Sequence, residues 1–81
     1  MLITLQQTSA SLPAPRFLRL VLQQDLLGGW ELIRESGQLG SRSQVRREQF
    51  ASHAQAIEVI EAVRASHLRR GYAECAPAAA A

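Results

Sequence analysis

Residues 16–35 read RFLRLVLQQDLLGGWELIRE and hold two strand-like runs separated by a pair of glycines. In the first run, Arg16–Gln24, the leucines at positions 18, 20 and 22 share one face of a strand, and polar side chains point to the other face. The glycine pair then precedes a second run, Trp30–Glu35, as in a hairpin. The stretch therefore predicts two antiparallel strands joined by a glycine-containing turn.

A second turn and a third strand follow this hairpin. The loop predicted over residues 36–43 contains Gly37 and Gly40, and the strand predicted after it, Gln44–Phe50, carries Arg46 and Arg47 side by side. The strand is only weakly apolar, so one of its faces is expected to be exposed to water.

A helix with a signal at each end comes next. Ser52 and Gln55 match a capping box, in which each side chain bonds a free N–H at the start of the helix. Gly71, after two arginines, fits the position just past a helix end. The predicted helix spans about His53–Arg70. Its apolar residues recur at i, i+3, i+4 and i+7 and form one stripe: Ala56, Val59, Ile60 and Val63.

The two ends of the chain carry weaker signals. Within residues 1–15, an apolar patch predicts either an N-terminal edge strand or a flexible segment, and two prolines oppose a helix there. Tyr72–Cys75 is interpreted as a short final strand, and the alanine-rich residues 76–81 as a disordered tail. The fold class is therefore α+β: residues 16–75 form a small antiparallel sheet of three to five strands packed on one C-terminal helix.

Length and composition favour a single small domain that contacts nucleic acid. The 81 residues leave room for one domain, and the net charge of +2 goes with a pI of about 9.5. All nine basic residues are arginine, whose planar guanidinium pairs with phosphate in a bidentate manner. A GC-rich genome would favour the same residue usage, so both explanations stay open.

Enzyme, metal and membrane functions lack the residues that they need. The sequence has no nucleophile elbow and no phosphate-binding loop followed by Lys-Ser/Thr. His53 and His67 are too far apart on one helix, at ~1.5 Å per residue, to share a metal ion. Cys75 stands alone, so we expect no disulfide, no cysteine metal set and no cofactor. Without a signal peptide or an apolar span, the prediction is a cytoplasmic protein with no membrane partner.

The positive charge concentrates around the glycine loop. Arg34, Arg42, Arg46 and Arg47 lie in or beside it. Backbone N–H groups of such a loop can approach a phosphate closely, and the neighbouring guanidinium groups can neutralise it. The alternative is an ordinary solvated hairpin tip.

From Arg16 to Tyr72 the chain resembles the WGR domain family, in its short bacterial stand-alone form. The features that carry the resemblance are, in order, RFLRL, LLGGWELIRE, GQLGSRSQ, Phe50 with Ser52, Ala56 and the closing RRGY, over about 57 of the 81 residues. The resemblance implies an antiparallel sheet with one helix. It also implies a relation to the WGR domain of poly(ADP-ribose) polymerases, which contacts DNA but is not itself catalytic.

The name-giving motif departs from the family pattern. Where the family has Trp-Gly-Arg, this chain has Ser36-Gly37-Gln38, and His67 stands where a lysine is common. An aromatic stacking platform is worth ~1–3 kcal/mol per base, and a neutral Gln makes no charge-assisted phosphate contact. The changes therefore weaken the expectation that the chain binds DNA ends.

Two functions remain open at this point. The first is a non-catalytic accessory module that binds DNA or another nucleic acid through the phosphate backbone. Its predicted contact residues are Arg34, Gly37, Gln38, Arg42, Arg46, Arg47, Arg69 and Arg70. The second is a protein-interaction module, a subunit, adaptor or inhibitor in a larger complex, on a WGR scaffold that has lost DNA binding.

Overall fold

The computed structural model describes residues 1–8 and 13–75, and in these residues the chain forms five strands and one helix. The strands build a single antiparallel sheet in the order β4-β3-β2-β1-β5. The predicted α+β class is confirmed, and the predicted tail, 76–81, lies outside the described residues. The elements are β1 Leu2–Gln7, β2 Arg16–Gln24, β3 Trp30–Gln38, β4 Ser43–Phe50, α1 His53–Arg69 and β5 Ala73–Cys75.

The leucines of β2 form the centre of the core, as their alternation predicted. One face of the sheet, here called the inner face, is covered by α1, and Ile60 of the helix is 1% exposed. Burial of such a side chain stabilises the fold by roughly 1.5–3 kcal/mol. The opposite face is called the outer face. The buried core consists of Leu5, Leu18, Leu20, Leu22, Leu32, Ala56 and Ile60.

The N-terminal strand that the sequence offered as one alternative is present as β1, but it lies inside the sheet, so its predicted place at the edge was wrong. β1 pairs with β2 on one side and with β5 on the other. Leu5 is opposite Leu18 in the register and is fully buried, so this apolar patch is needed to complete the core. The terminal ammonium of Met1 donates to the carbonyl of Leu22 at 3.1 Å, which ties the first residue to the end of β2.

The tripeptide Ser36-Gly37-Gln38 belongs to β3, although the sequence placed it in a loop. It is in the strand because β2 begins at Arg16, so that Phe17 pairs with Gly37 and Arg16 with Gln38. A Cβ atom at position 37 would lie 3.0 Å from the carbonyl oxygen of Arg42 and 3.1 Å from the Cα of Ser43. The glycine is therefore needed for the close return of the chain into β4.

Both ends of α1 are capped. The hydroxyl of Ser52 accepts from the N–H of Gln55 at 3.2 Å, which is one half of the predicted capping box. At the other end the helix stops at Arg69, one residue earlier than predicted. Gly71 has φ +94° and its N–H donates to Leu68, while the N–H of Tyr72 donates to His67. This pair of bonds is a Schellman motif, which satisfies the last carbonyls and turns the chain toward β5.

The outer face carries balanced charge. Arg19 pairs with Glu35 and Arg47 with Glu31, each pair on adjacent strands. The described residues contain no helix long and apolar enough to cross a membrane.

Candidate nucleic-acid interface

A groove opens on the inner face where the C-terminal end of α1 meets β2, β3 and β4. It consists of two depressions of about 400 Å³ and 160 Å³, which share Ser36 and His67 as lining residues. We call the two together the basic groove, because four arginines line it and no carboxylate of the described residues does. The lining residues are Arg16, Phe17, Leu18, Arg34, Ser36, Gly37, Gln38, Gln44, Arg46, His67, Arg70 and Tyr72.

Strand register brings two of these arginines directly opposite each other. Arg34 of β3 pairs with Arg46 of β4, and both share the inner face because Arg34 is also opposite the buried Leu20. Like charges in such a pair destabilise a sheet by up to ~1 kcal/mol. Glu48 lies two residues along β4 and forms an ion pair with Arg34, with side-chain exposures of 24% for Arg34 and 29% for Glu48. Part of the repulsion is thereby offset.

Among the described residues, the Nε atom of Arg34 has no hydrogen-bond acceptor and the guanidinium of Arg46 has no carboxylate partner. The Nε atom is buried and has no hydrogen-bond acceptor within the described residues. No carboxylate of residues 1–8 and 13–75 lies within 4.0 Å of Arg46. An exposed guanidinium beside a second one is a ready partner for an anion, because a phosphate between them would relieve the repulsion.

The remaining arginines divide into a paired set and an unpaired set. Arg19 and Arg47 are paired on the outer face, and Arg64 is paired on the exposed side of the helix. A side-chain hydrogen bond to Glu74, its negative charge and the nearby Glu61 raise the pKa of the Arg64 guanidinium. Arg19, Arg47 and Arg64 therefore each have a carboxylate partner. Among the arginines of the groove, only Arg34 has a carboxylate partner within the described residues.

Charge therefore accumulates at the groove. Four arginines (Arg16, Arg34, Arg46 and Arg70) against one carboxylate, Glu48, leave three uncompensated positive charges. The net charge of the whole chain is only +2. The uneven distribution, and not the total, makes this surface strongly cationic.

His67 and Tyr72 form an aromatic wall in the groove. Nδ1 of His67 lies 2.9 Å from the carbonyl oxygen of Val63, so in the neutral ring this nitrogen carries the proton and donates it. The two rings meet edge to face with centroids 4.8 Å apart and planes at 75°. Hydrogen bonding thus fixes the ring of His67, and Tyr72 is fixed by the Schellman motif. The wall offers a rigid aromatic surface beside the cations.

The degenerate tripeptide lies in the floor of the same groove. Ser36 and Gln38 alternate with Gly37 along β3 and share the inner face with Arg34. Gln38 supplies amide groups but no charge. Its register partner on the neighbouring strand β2 is Arg16, and the Cα atoms of the two residues are about 5 Å apart. A guanidinium group is therefore available beside the amide.

The structure brings five of the eight sequence-predicted contact residues together. Arg34, Gly37, Gln38, Arg46 and Arg70 line the basic groove. The other three do not line it.

Those three residues lie elsewhere for separate reasons. Arg47 follows Arg46 in an extended strand and so points to the outer face, where it pairs with Glu31 at 3.0 Å. Arg42 is exposed in the turn between β3 and β4, and Arg69 is exposed in the last turn of α1. We therefore do not retain these residues in the candidate site.

Sequence reasoning missed six polar or aromatic members of the groove: Arg16, Phe17, Ser36, Gln44, His67 and Tyr72. His67 was interpreted as a structural residue on the helix. Strand parity was the available signal for two of the six, Ser36 and Gln44. Gln44 shares the parity of Arg46, as Ser36 and Gln38 share that of Arg34, so all belong to one face.

Comparisons with known proteins agree with the fold. The model of one protein family, described as the WGR domain, matches residues 1–79. Comparison with curated proteins and with solved structures found no match to the chain. Within residues 1–8 and 13–75, no group of three or more His, Cys, Asp or Glu side chains is arranged to hold a metal ion.

Proposed function

This chain belongs to the WGR domain family, and on that premise we propose that it is an accessory module that binds nucleic acid through the basic groove. The WGR domain is a small accessory domain and is not itself catalytic. The observation that carries the proposal is the set of three uncompensated positive charges on one side of a molecule whose outer face is neutral.

Contact with the phosphate backbone supplies most of the proposed affinity. Arg16, Arg46 and Arg70 form no ion pair with a carboxylate in the described part of the chain, so each can take one phosphate oxygen pair. Neutralisation of each phosphate of duplex DNA contributes about 0.9 to the slope of log K against log salt, so three contacts give a slope of about −3. Such contacts fix position without reading sequence.

Ser36, Gln38 and the aromatic wall supply the remaining contacts. The hydroxyl and the amide can bond phosphate or sugar oxygens as neutral partners. A base or sugar at a strand end can rest against Tyr72 and His67, which partly replaces the stacking surface lost with the tryptophan of the motif. We propose that this binding takes place in the cytoplasm.

Fluorescence-anisotropy titration tests the proposal. Labelled single-stranded, blunt duplex and nicked DNA are titrated with the full chain at several salt concentrations from about 0.05 to 0.2 M. The proposal expects binding to all three forms with a slope near −3 on duplex, since three arginines are uncompensated. A preference for blunt or nicked DNA would show that end recognition persists without the tryptophan. Absence of binding at the lowest salt contradicts the proposal.

The loss of the tryptophan and arginine of the motif favours a second candidate, a protein-interaction module. In that case the arginines of the groove would meet an acidic protein surface in place of phosphate. Absence of DNA binding across the same salt range would favour this second candidate.

A further inference from the structure

The turn between β2 and β3 presents two leucines entirely to solvent. Leu26 is 103% exposed and Leu27 is 95% exposed, the most exposed large apolar residues of the described chain. We call these two residues the leucine tip. Single exposed apolar side chains are common on protein surfaces and need no explanation. Two adjacent ones at full exposure, in a chain with a small core, contribute nothing to the fold that carries them.

The turn holds the leucine tip in one conformation. The Oδ1 atom of Asp25 accepts from the N–H groups of Leu27 and Gly29, both at 2.8 Å, and the N–H of Asp25 donates to the carbonyl of Gly29 at 3.0 Å. Gly28 has φ +88°, a conformation that other residues rarely adopt. A surface that is ordered before it binds loses less entropy on docking.

The surroundings of the leucine tip are polar and carry a small net negative charge. Gln23, Gln24 and Gln49 surround it, together with Asp25 and Glu31. An apolar centre with a rim of amides is the usual composition of a protein–protein contact.

The leucine tip and the basic groove lie at opposite ends of the sheet. Arg16, at one end of β2, lines the groove, and Gln24, at the other end, precedes the turn. Eight residue steps at ~3.3 Å separate the two by roughly 26 Å. Both surfaces can therefore be occupied at the same time.

We propose that the leucine tip is a second binding site, which docks into an apolar pocket of a partner protein while the basic groove stays free. The pocket would accept both leucine side chains and carry donors or a cation at its rim, opposite Asp25. The proposal does not depend on nucleic-acid binding by the groove.

A lipid membrane could also accept two exposed leucines, but the charges near the leucine tip do not favour it. Anionic headgroups attract clustered lysines and arginines. Near the leucine tip the described residues place one arginine, Arg47, and it is already paired with Glu31. Asp25 adds a negative charge, so the tip would meet an anionic membrane with repulsion.

Photo-crosslinking in the cells that make the protein identifies the partner. The photoreactive residue p-benzoylphenylalanine replaces Leu27 in one strain and Leu68, another exposed leucine, in the control strain. The proposal expects a discrete adduct with one protein from position 27 and not from position 68. No adduct at position 27, or the same adducts at both positions, overturns the proposal.

Binding to the identified and purified partner then decides the matter. Leu26→Asn combined with Leu27→Asn is expected to weaken affinity at least a hundredfold, because two buried leucines are exchanged for polar groups. The matched control, Leu39→Asn with Leu68→Asn, should change it less than about threefold. The tip variant should keep the native melting temperature, because both of its leucines are fully exposed. Unchanged partner affinity in the tip variant overturns the proposal. The proposal is also overturned if the native chain binds phosphatidylcholine–phosphatidylglycerol vesicles and the tip variant does not.

Discussion

Removal of one carboxylate should strengthen nucleic-acid binding, which mutations of binding proteins rarely do. Glu48 neutralises part of the positive charge of the groove, because it forms an ion pair with Arg34. In Glu48→Gln the guanidinium of Arg34 is released to bind phosphate, and the uncompensated charge rises from three to four. We expect the salt slope on duplex DNA to steepen by about 0.9. The affinity should rise about fivefold near 0.15 M salt and about fifteenfold near 0.05 M.

The same substitution should cost a little stability. The ion pair is about one-quarter exposed, so its loss contributes about 1 kcal/mol or less. The repulsion between Arg34 and Arg46, no longer offset, adds up to ~1 kcal/mol. A total near 1 kcal/mol lowers the Tm of a domain of this size by about 4–8 °C, which thermal denaturation measures. Tighter binding in a less stable protein would be a distinctive pair of results.

A matched control separates local from general charge effects. Glu35→Gln removes the same charge but from the outer face, where Glu35 pairs with Arg19. It should leave both the salt slope and the affinity nearly unchanged. Anisotropy titrations of the two variants and the native chain over a range of salt make the comparison. The reasoning is refuted if both variants gain affinity equally, or if the slope of Glu48→Gln equals that of the native protein.

Three further predictions concern the core, the strand glycine and the lost motif. Ile60→Ala should destabilise the fold by about 2–5 kcal/mol in a denaturant titration, since it empties a fully buried site under the helix; a loss under 1 kcal/mol would contradict the core described above. Gly37→Ala should lower the free energy of unfolding by about 1–3 kcal/mol, because its Cβ meets the backbone of the returning strand β4. The DNA affinity of this variant should be measured at a temperature where it is folded. Ser36→Trp with Gln38→Arg should tighten DNA binding about ten- to a hundredfold, and an unchanged Kd would show that the groove does not face DNA.

Elements with a complete local signal were predictable from the sequence. β2 has the predicted bounds because its leucines alternate without interruption, and α1 begins where Ser52 provides the cap. β1 could not be placed, because the same apolar patch suits an edge or an interior position. Its second neighbour, β5, was predicted over Tyr72–Cys75 and is observed over Ala73–Cys75, but the sequence did not indicate which strand it would pair with. The position of Gly37 in a strand was hidden, since a glycine beside serine usually indicates a loop.

The basic groove depends on contacts that no local pattern contains. Its residues come from three strands, the helix and the turn after it, and they meet only once the register is set. Arg16 stands far from the glycine loop in sequence, and Glu48 became relevant only through its pair with Arg34. The separation of Arg46 from Arg47 was available in principle, because neighbours in a strand point to opposite faces.

Arg46 and Arg47 provide the most direct test of the central claim, because they are adjacent in sequence and differ in the face they occupy. Arg46→Glu should weaken DNA binding at least fivefold near 0.15 M salt and reduce the salt slope by about 0.9, through loss of one phosphate contact. Arg47→Glu carries the same charge change on the outer face and should bind DNA nearly as the native chain does. Equal losses in the two variants would show that DNA responds to net charge alone. A larger loss for Arg47→Glu would place the binding surface on the outer face and contradict the account.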